Sequence, residues 1–297
     1  MGQDRKPAQD PLFEALLGEP CRVLRPARQR APFVFASPHS GRIYPEHFLA
    51  QSRLSALALR RAEDSYVEEL FAPAVERGAP LLFALFPRVF VDANRGPTEL
   101  DPAMFDGALE LAVDPASARV SAGLGVLPRV VRDGVEIYRG KLKPAEARQR
   151  LAAFHEPYHA ALADLVSETQ ARFGAAIVVD CHSMPSGTGV PDIVLGDRHG
   201  ASASPGLMRR AEESFQEAGF SLARNAPYAG GYTTGLYGRR EGGVEALQIE
   251  INRALYLDED RIEPLARFGA LQARLDGALK RLLTYDAQAL RPPLAAE

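Results

Sequence analysis

Residues 176 to 185 read Ala176-Ile177-Val178-Val179-Asp180-Cys181-His182-Ser183-Met184-Pro185. The apolar, β-branched opening, 176–180, reads as a buried strand, and the polar residues after it bring chemistry to the point where that strand ends. Similar short runs at 33–36, 81–86, 192–195 and 246–251 are expected strands. Between them, 60–77, 144–172, 205–218 and 258–285 carry apolar residues at helical spacing with charges interleaved. Strands alternating with helices predict an α/β layered architecture. No internal repeat, low-complexity tract or long linker interrupts the chain, and the Pro/Gly-rich pieces 96–107 and 226–243 follow strands directly, as site loops do. The expected organisation is an N-terminal segment, 1–30, and one catalytic domain, 31–290.

With 297 residues, 46% hydrophobic and 25% charged, the chain has the apolar material for a large core. Its net charge of −3 and the absence of like-charge runs argue against a nucleic-acid partner. Residues 1–10 are polar and lack the apolar centre of a secretory signal, and no apolar run has the length that spans a bilayer. A cytoplasmic protein with no membrane partner is expected. Two cysteines, Cys21 and Cys181, are too few for a disulfide framework, so any metal must rest on His, Asp and Glu.

Three strand ends concentrate reactive residues: Ser37-Pro38-His39-Ser40-Gly41-Arg42, Asp180-Cys181-His182-Ser183, and Gln248-Ile249-Glu250-Ile251-Asn252-Arg253. Ligands bind at the carboxyl ends of strands in open α/β sheets, so His39 and His182, in matching contexts, read as metal ligands. A hydrolytic zinc site takes a third protein ligand, and the nearest carboxylates are Glu63 and Asp64, which could also merely favour a helix N-terminus. In the strand 246–251, alternation puts Gln248, Glu250 and Asn252 on one face. Asn94-Arg95 follows a strand and suits a carboxylate clamp, although a surface ion pair would use the same residues. The match His155-Glu156-Pro157-Tyr158-His159 to a His-Glu-x-x-His metal motif is rejected, because Pro157 falls inside the helix that motif needs; His159 reads instead as a histidine at the core edge or one that supports the site from behind its ligands. Cys181 points away from His182 and reads as a small buried hydrophobe, and the glycine-rich 229–235 lacks phosphate-loop spacing but could form a substrate loop.

Taken together, Ser37-Pro38-His39-Ser40-Gly41, Glu63-Asp64, Asp92-Ala93-Asn94-Arg95, Gly125-Val126-Leu127-Pro128-Arg129, Pro157-Tyr158-His159, Asp180-Cys181-His182-Ser183-Met184-Pro185, Gly230-Gly231 and Gln248-Ile249-Glu250-Ile251-Asn252-Arg253 resemble the N-formylglutamate amidohydrolase (deformylase) family. The resemblance implies a mixed β-sheet with helices on both faces, similar to zinc carboxypeptidases and other phosphorylase/hydrolase-like folds. It implies zinc, or another divalent metal, on His39, Asp64 and His182, with Glu63 as the fallback carboxylate. It also implies Glu250 as general base and Asn94, Arg95 and Gly231 around a small anionic N-acyl amino acid. The implied activity is hydrolysis of N-formyl-L-glutamate to formate and glutamate at the end of a histidine-degradation route. The alternatives are a carboxypeptidase- or aspartoacylase-like hydrolase and a metal-free binding protein of the same fold.

Overall fold

The computed structural model describes residues 10–131 and 134–286. Most of the polar opening stretch, 1–9, and the end of the expected catalytic domain, 287–290, lie outside the described residues. Seven strands form one sheet: β1 (Cys21–Leu24), β2 (Phe33–Ser37), β3 (Leu81–Ala84), β4 (Ala176–Met184), β5 (Ile193–Gly196), β6 (Leu222–Arg224) and β7 (Val244–Asn252). Their order is β1-β3-β2-β4-β7-β5-β6. The sheet is mixed: β1 runs antiparallel to β3 and β5 antiparallel to β7, while the other pairs are parallel.

All nine residues of β4 and all nine of β7 are buried, which is why these strands read as near-continuous apolar runs. One face of the sheet packs Phe35, Ile177, Val179, Leu247 and Ile249 against the helices Pro205–Glu217 and Phe268–Leu282. The other face packs Val34, Val178 and Ala246 against Tyr158, Leu162 and Leu165 of the helix Glu156–Phe173. On that second face the character changes along the strands. Val178 gives way to Asp180 and His182, and Ala246 to Gln248, Glu250 and Asn252, because residues two apart share a face. The helix covers the apolar half and leaves the polar half, at the carboxyl ends, to form a site.

The five expected strands all occur. The edge strands β1 and β6, four and three residues long, carry no strong pattern and the sequence reading did not anticipate them. The helical stretch expected at 60–77 is broken into Val67–Phe71 and Pro73–Glu76, with Tyr66 in the left-handed region at φ 65°. Glu63 and Asp64 therefore lie in a turn before the helix instead of opening it. The helix expected from 258 begins at Phe268; before it Leu257–Asp258 and Glu263–Pro264 pair as a two-stranded ribbon. No helix among the described residues is long and apolar enough to cross a membrane.

Candidate metal centre and substrate pocket

The ligand atoms of His39, Asp64 and His182 lie within 4.8 Å of one another, and all three residues are buried. Each arrives from a different element. His39 stands two residues beyond the end of β2, and the next turn is pinned by Gly41, where an added Cβ would fall 2.1 Å from the Phe86 carbonyl oxygen. His182 projects from β4, and Asp64 is carried in by its turn, whose backbone N–H donates to the His39 carbonyl at 3.0 Å. Asp64 Oδ2 lies 2.9 Å from His182 Nδ1 and 3.3 Å from His39 Nδ1.

The outer nitrogens of both rings face carboxylates. His39 Nε2 is 2.6 Å from Asp92 Oδ1, and His182 Nε2 is 3.0 Å from Asp180 Oδ2. A carboxylate accepting from Nε2–H leaves the Nδ1 lone pair aimed inward on each imidazole, the arrangement that orients metal-binding histidines. Asp64 is itself held: Arg253 donates from Nη2 to its Oδ1 at 2.9 Å and from Nε to the Ser183 hydroxyl. His39 Nδ1 is buried without a hydrogen-bond partner among the described residues. Two imidazole nitrogens and one carboxylate oxygen, converging with an orphaned lone pair, fit a divalent cation of the zinc type.

The electrostatics call for positive charge at this point. His182 is raised well above the ordinary imidazole range: burial opposes the charged form, but Asp180, Asp64 and Glu250 outweigh it. Asp64 and Asp92 are held well below the usual carboxylate range, burial being overcome by their histidine neighbours and, at Asp92, by Arg88 and Arg95. Glu250 moves the other way. Burial pushes its carboxyl up to about 8, with His182 and Arg88 opposing and Asp64 and Asp180 adding to the rise. Gln248 Nε2 donates to Glu250 Oε1 at 2.9 Å and fixes its rotation.

His39, Asp64, Arg88, Asp92, His182, Gln248 and Glu250 line a cavity of about 690 Å³ that also exposes Asn94, Arg95 and Gly231. Arg95 is buried; its Nε and Nη1 donate to the carbonyls of Leu124 and Asn94, while Nη2 makes no hydrogen bond among the described residues. Asn94 is engaged inside the protein: Nδ2 donates to Asp180 at 3.0 Å and Oδ1 accepts from the Thr233 N–H at 2.8 Å. Gly231 is a glycine because Asn94 occupies the space a Cβ would need, 2.5 Å from Nδ2.

The fallback ligand Glu63 does not join this group. Its carboxylate bonds Tyr44, Ser65 and Arg60 and lies outside the cavity lining. His155 and His159 also stand apart from the three-donor cluster and donate to backbone carbonyls. Cys181 faces the opposite, apolar side of the sheet, as alternation requires. Sequence reasoning assigns no role to Asp92, Asp180 or Arg88, and offers Arg253 only as an ion-pair partner of Glu250, whereas it meets Asp64. Asp180 was readable, since it lies two residues before His182 on the same strand face. Arg88, which donates to Asp92 Oδ2 at 2.8 Å, lies in an irregular turn, and Arg253 opens the single 3-10 turn Arg253–Leu255 after β7; neither segment is long enough to show a periodic signal.

Comparison with known proteins shows the family. A protein named N-formylglutamate deformylase from Pseudomonas aeruginosa is 33% identical over 246 residues, covering 80% of this chain and 86% of the relative. A second of that name from Pseudomonas putida is 27% identical over 271 residues, 88% of this chain and 94% of its own. The crystal structure of N-formylglutamate amidohydrolase from Ralstonia eutropha JMP134 superposes with a TM-score of 0.83 at 35% identity, covering 92% of this chain and 98% of that one. The profile of the N-formylglutamate amidohydrolase family matches residues 31–257, and the chain belongs to that family.

Proposed function

We propose that the protein hydrolyses the formyl amide of N-formyl-L-glutamate, releasing formate and L-glutamate, with a divalent metal, zinc by preference, on His39, Asp64 and His182. The observation that carries this reading is the convergence of those three donors beside Glu250 in one arginine-lined cavity. The names of the Pseudomonas and Ralstonia relatives support the substrate. So does charge: Arg61, Arg88, Arg95, Arg119 and Arg253 all line the cavity, and a substrate with two carboxylates suits such a surface.

When bound there, a divalent ion supplies Lewis acidity to the formyl carbonyl and makes water acidic near neutral pH. In its ionised form Glu250, whose carboxyl burial raises to about 8, takes the proton of the attacking water and hands it to the departing amine as the C–N bond breaks. No covalent enzyme intermediate is needed. Arg88, fixed by Asp92 and 4.0 Å from Asp64, presents a cation where negative charge develops on the formyl oxygen. Arg95 holds a substrate carboxylate through Nη2 and fixes the distance from that anchor to the scissile bond.

The test is a panel of N-formyl-L-glutamate, N-acetyl-L-glutamate, N-formyl-L-leucine and a C-terminal glutamyl dipeptide, assayed with and without chelator. The expected result is preference for N-formyl-L-glutamate, loss with chelator and recovery with zinc. Turnover that survives complete metal removal, or preference for the dipeptide, would overturn the reading.

A further inference from the structure

The rejected His-Glu-x-x-His match has a geometry of its own. The five residues Leu151–His155 form a π-helical turn that runs without a break in helical backbone into the α-helix Glu156–Phe173, which carries Pro157 in its first turn. That entry turns His155 and His159 to the same side, their ring centroids 4.5 Å apart. Neither ring faces the three-donor cluster. His159 Nε2–H donates to the Ala93 carbonyl at 2.8 Å and His155 Nε2–H to the Arg95 carbonyl at 2.9 Å.

Ala93 and Arg95 flank Asn94, so the two histidines grip the main chain on either side of it. Neither carbonyl receives another hydrogen bond among the described residues. The gripped segment is connected at both ends to the site: the Asn94 N–H donates to Asp92 Oδ1, and the Asn94 amide reaches Asp180. Its carbonyl also accepts from the Arg95 guanidinium, which makes the set of that guanidinium depend on the path of the backbone beneath it.

We infer that His155 and His159 are positioning residues: a two-pronged clamp that fixes residues 93–95 so that Arg95 meets the substrate carboxylate in one place. This inference rests on the reading of Arg95 as the carboxylate anchor. A clamp of this kind acts on substrate through Arg95, whereas a histidine that merely fills the core acts on stability and on every substrate alike.

The experiment is a double-mutant cycle on the zinc-loaded protein, with kcat/KM for N-formyl-L-glutamate, zinc content and Tm read for each variant. His159→Phe keeps the ring and loses the donor; His159→Gln keeps an N–H at similar reach. We expect His159→Phe to lower kcat/KM about tenfold, mainly through KM, and His159→Gln to recover most of it, at unchanged zinc content. In an Arg95→Ala background the same Phe substitution should change kcat/KM by no more than about twofold. An equal loss in both backgrounds, or no loss in the native one, overturns the clamp while leaving Arg95 as the anchor. If Arg95→Ala alone leaves KM unchanged, the reading of Arg95 fails and the clamp fails with it. Should His159→Phe not fold, His155→Phe takes its place in the cycle with the same expectations.

Discussion

His182 and Glu250 are register partners on the neighbouring parallel strands β4 and β7. Adjacent strands lie about 4.8 Å apart, and partners in a ladder send their side chains to the same face, so the sheet delivers an imidazole and a carboxylate side by side without any loop. Both strands are buried along their whole length, which leaves this pair little freedom to separate. The proposed ligand and the proposed base are thus set by backbone register, while His39, Asp64 and the arginines are brought to them by loops.

Removing any one donor should empty the metal centre. His39→Ala, Asp64→Asn and His182→Ala are each expected to reduce bound metal from about one ion per chain to a small fraction, read by elemental analysis. Asp92→Asn keeps all three donors but loses the carboxylate that orients His39, and should weaken metal affinity by about 10- to 100-fold in a chelator titration. Full metal content in all three donor variants would place the ion elsewhere.

Arg95→Lys preserves charge but not the planar fork. If Nη2 meets a substrate carboxylate, kcat/KM for N-formyl-L-glutamate should fall by about tenfold or more. An unchanged value would remove Arg95 from substrate recognition.

Glu156 is exposed and does not line the cavity. Glu156→Gln, which would abolish turnover in a true His-Glu-x-x-His hydrolase, should leave kcat within about twofold. A loss of several orders of magnitude would show that the motif is functional after all.

Stability should carry the signature of a histidine buried neutral. His159 is lowered from 6.5 to about 4, chiefly by burial and then by the charge of His155. Between those two values the unfolded chain binds a proton that the folded chain refuses, so this contribution is intact above pH 6.5, falls away as pH drops towards 4, and changes no further below. In metal-stripped protein, where release of an ion cannot contribute, denaturant unfolding of His159→Gln should lose less stability across that window than the parent. Parallel curves would mean that His159 titrates normally.

The central fold was legible because it rests on buried parallel strands whose apolar runs end in polar residues: β2, β4 and β7 show both features, and the site lies at those ends. His39, His182 and Glu250 could be picked out for the same reason. What escaped was carried by tertiary contact. The strand β1 pairs with β3 across an intervening segment of nearly sixty residues, and its four residues, none of them buried, make too short a run to read as a strand. Asp64 read as the start of a helix because acids favour that place, but Tyr66 in the left-handed region ends the turn first. Arg88 and Arg253 gain meaning only from the carboxylates they meet, which lie four residues away in one case and 189 in the other.

The most direct test of the account is Glu250→Gln, measured for zinc content, Tm and kcat together. The substitution keeps size and a hydrogen-bonding amide beside Gln248 and removes only the basic oxygen. With Glu250 as the base, zinc and Tm should hold while kcat on N-formyl-L-glutamate falls by about 100-fold or more. A variant that turns over at the parent rate, or that loses zinc along with activity, would contradict the account, making Glu250 a bystander in the first case and a ligand in the second.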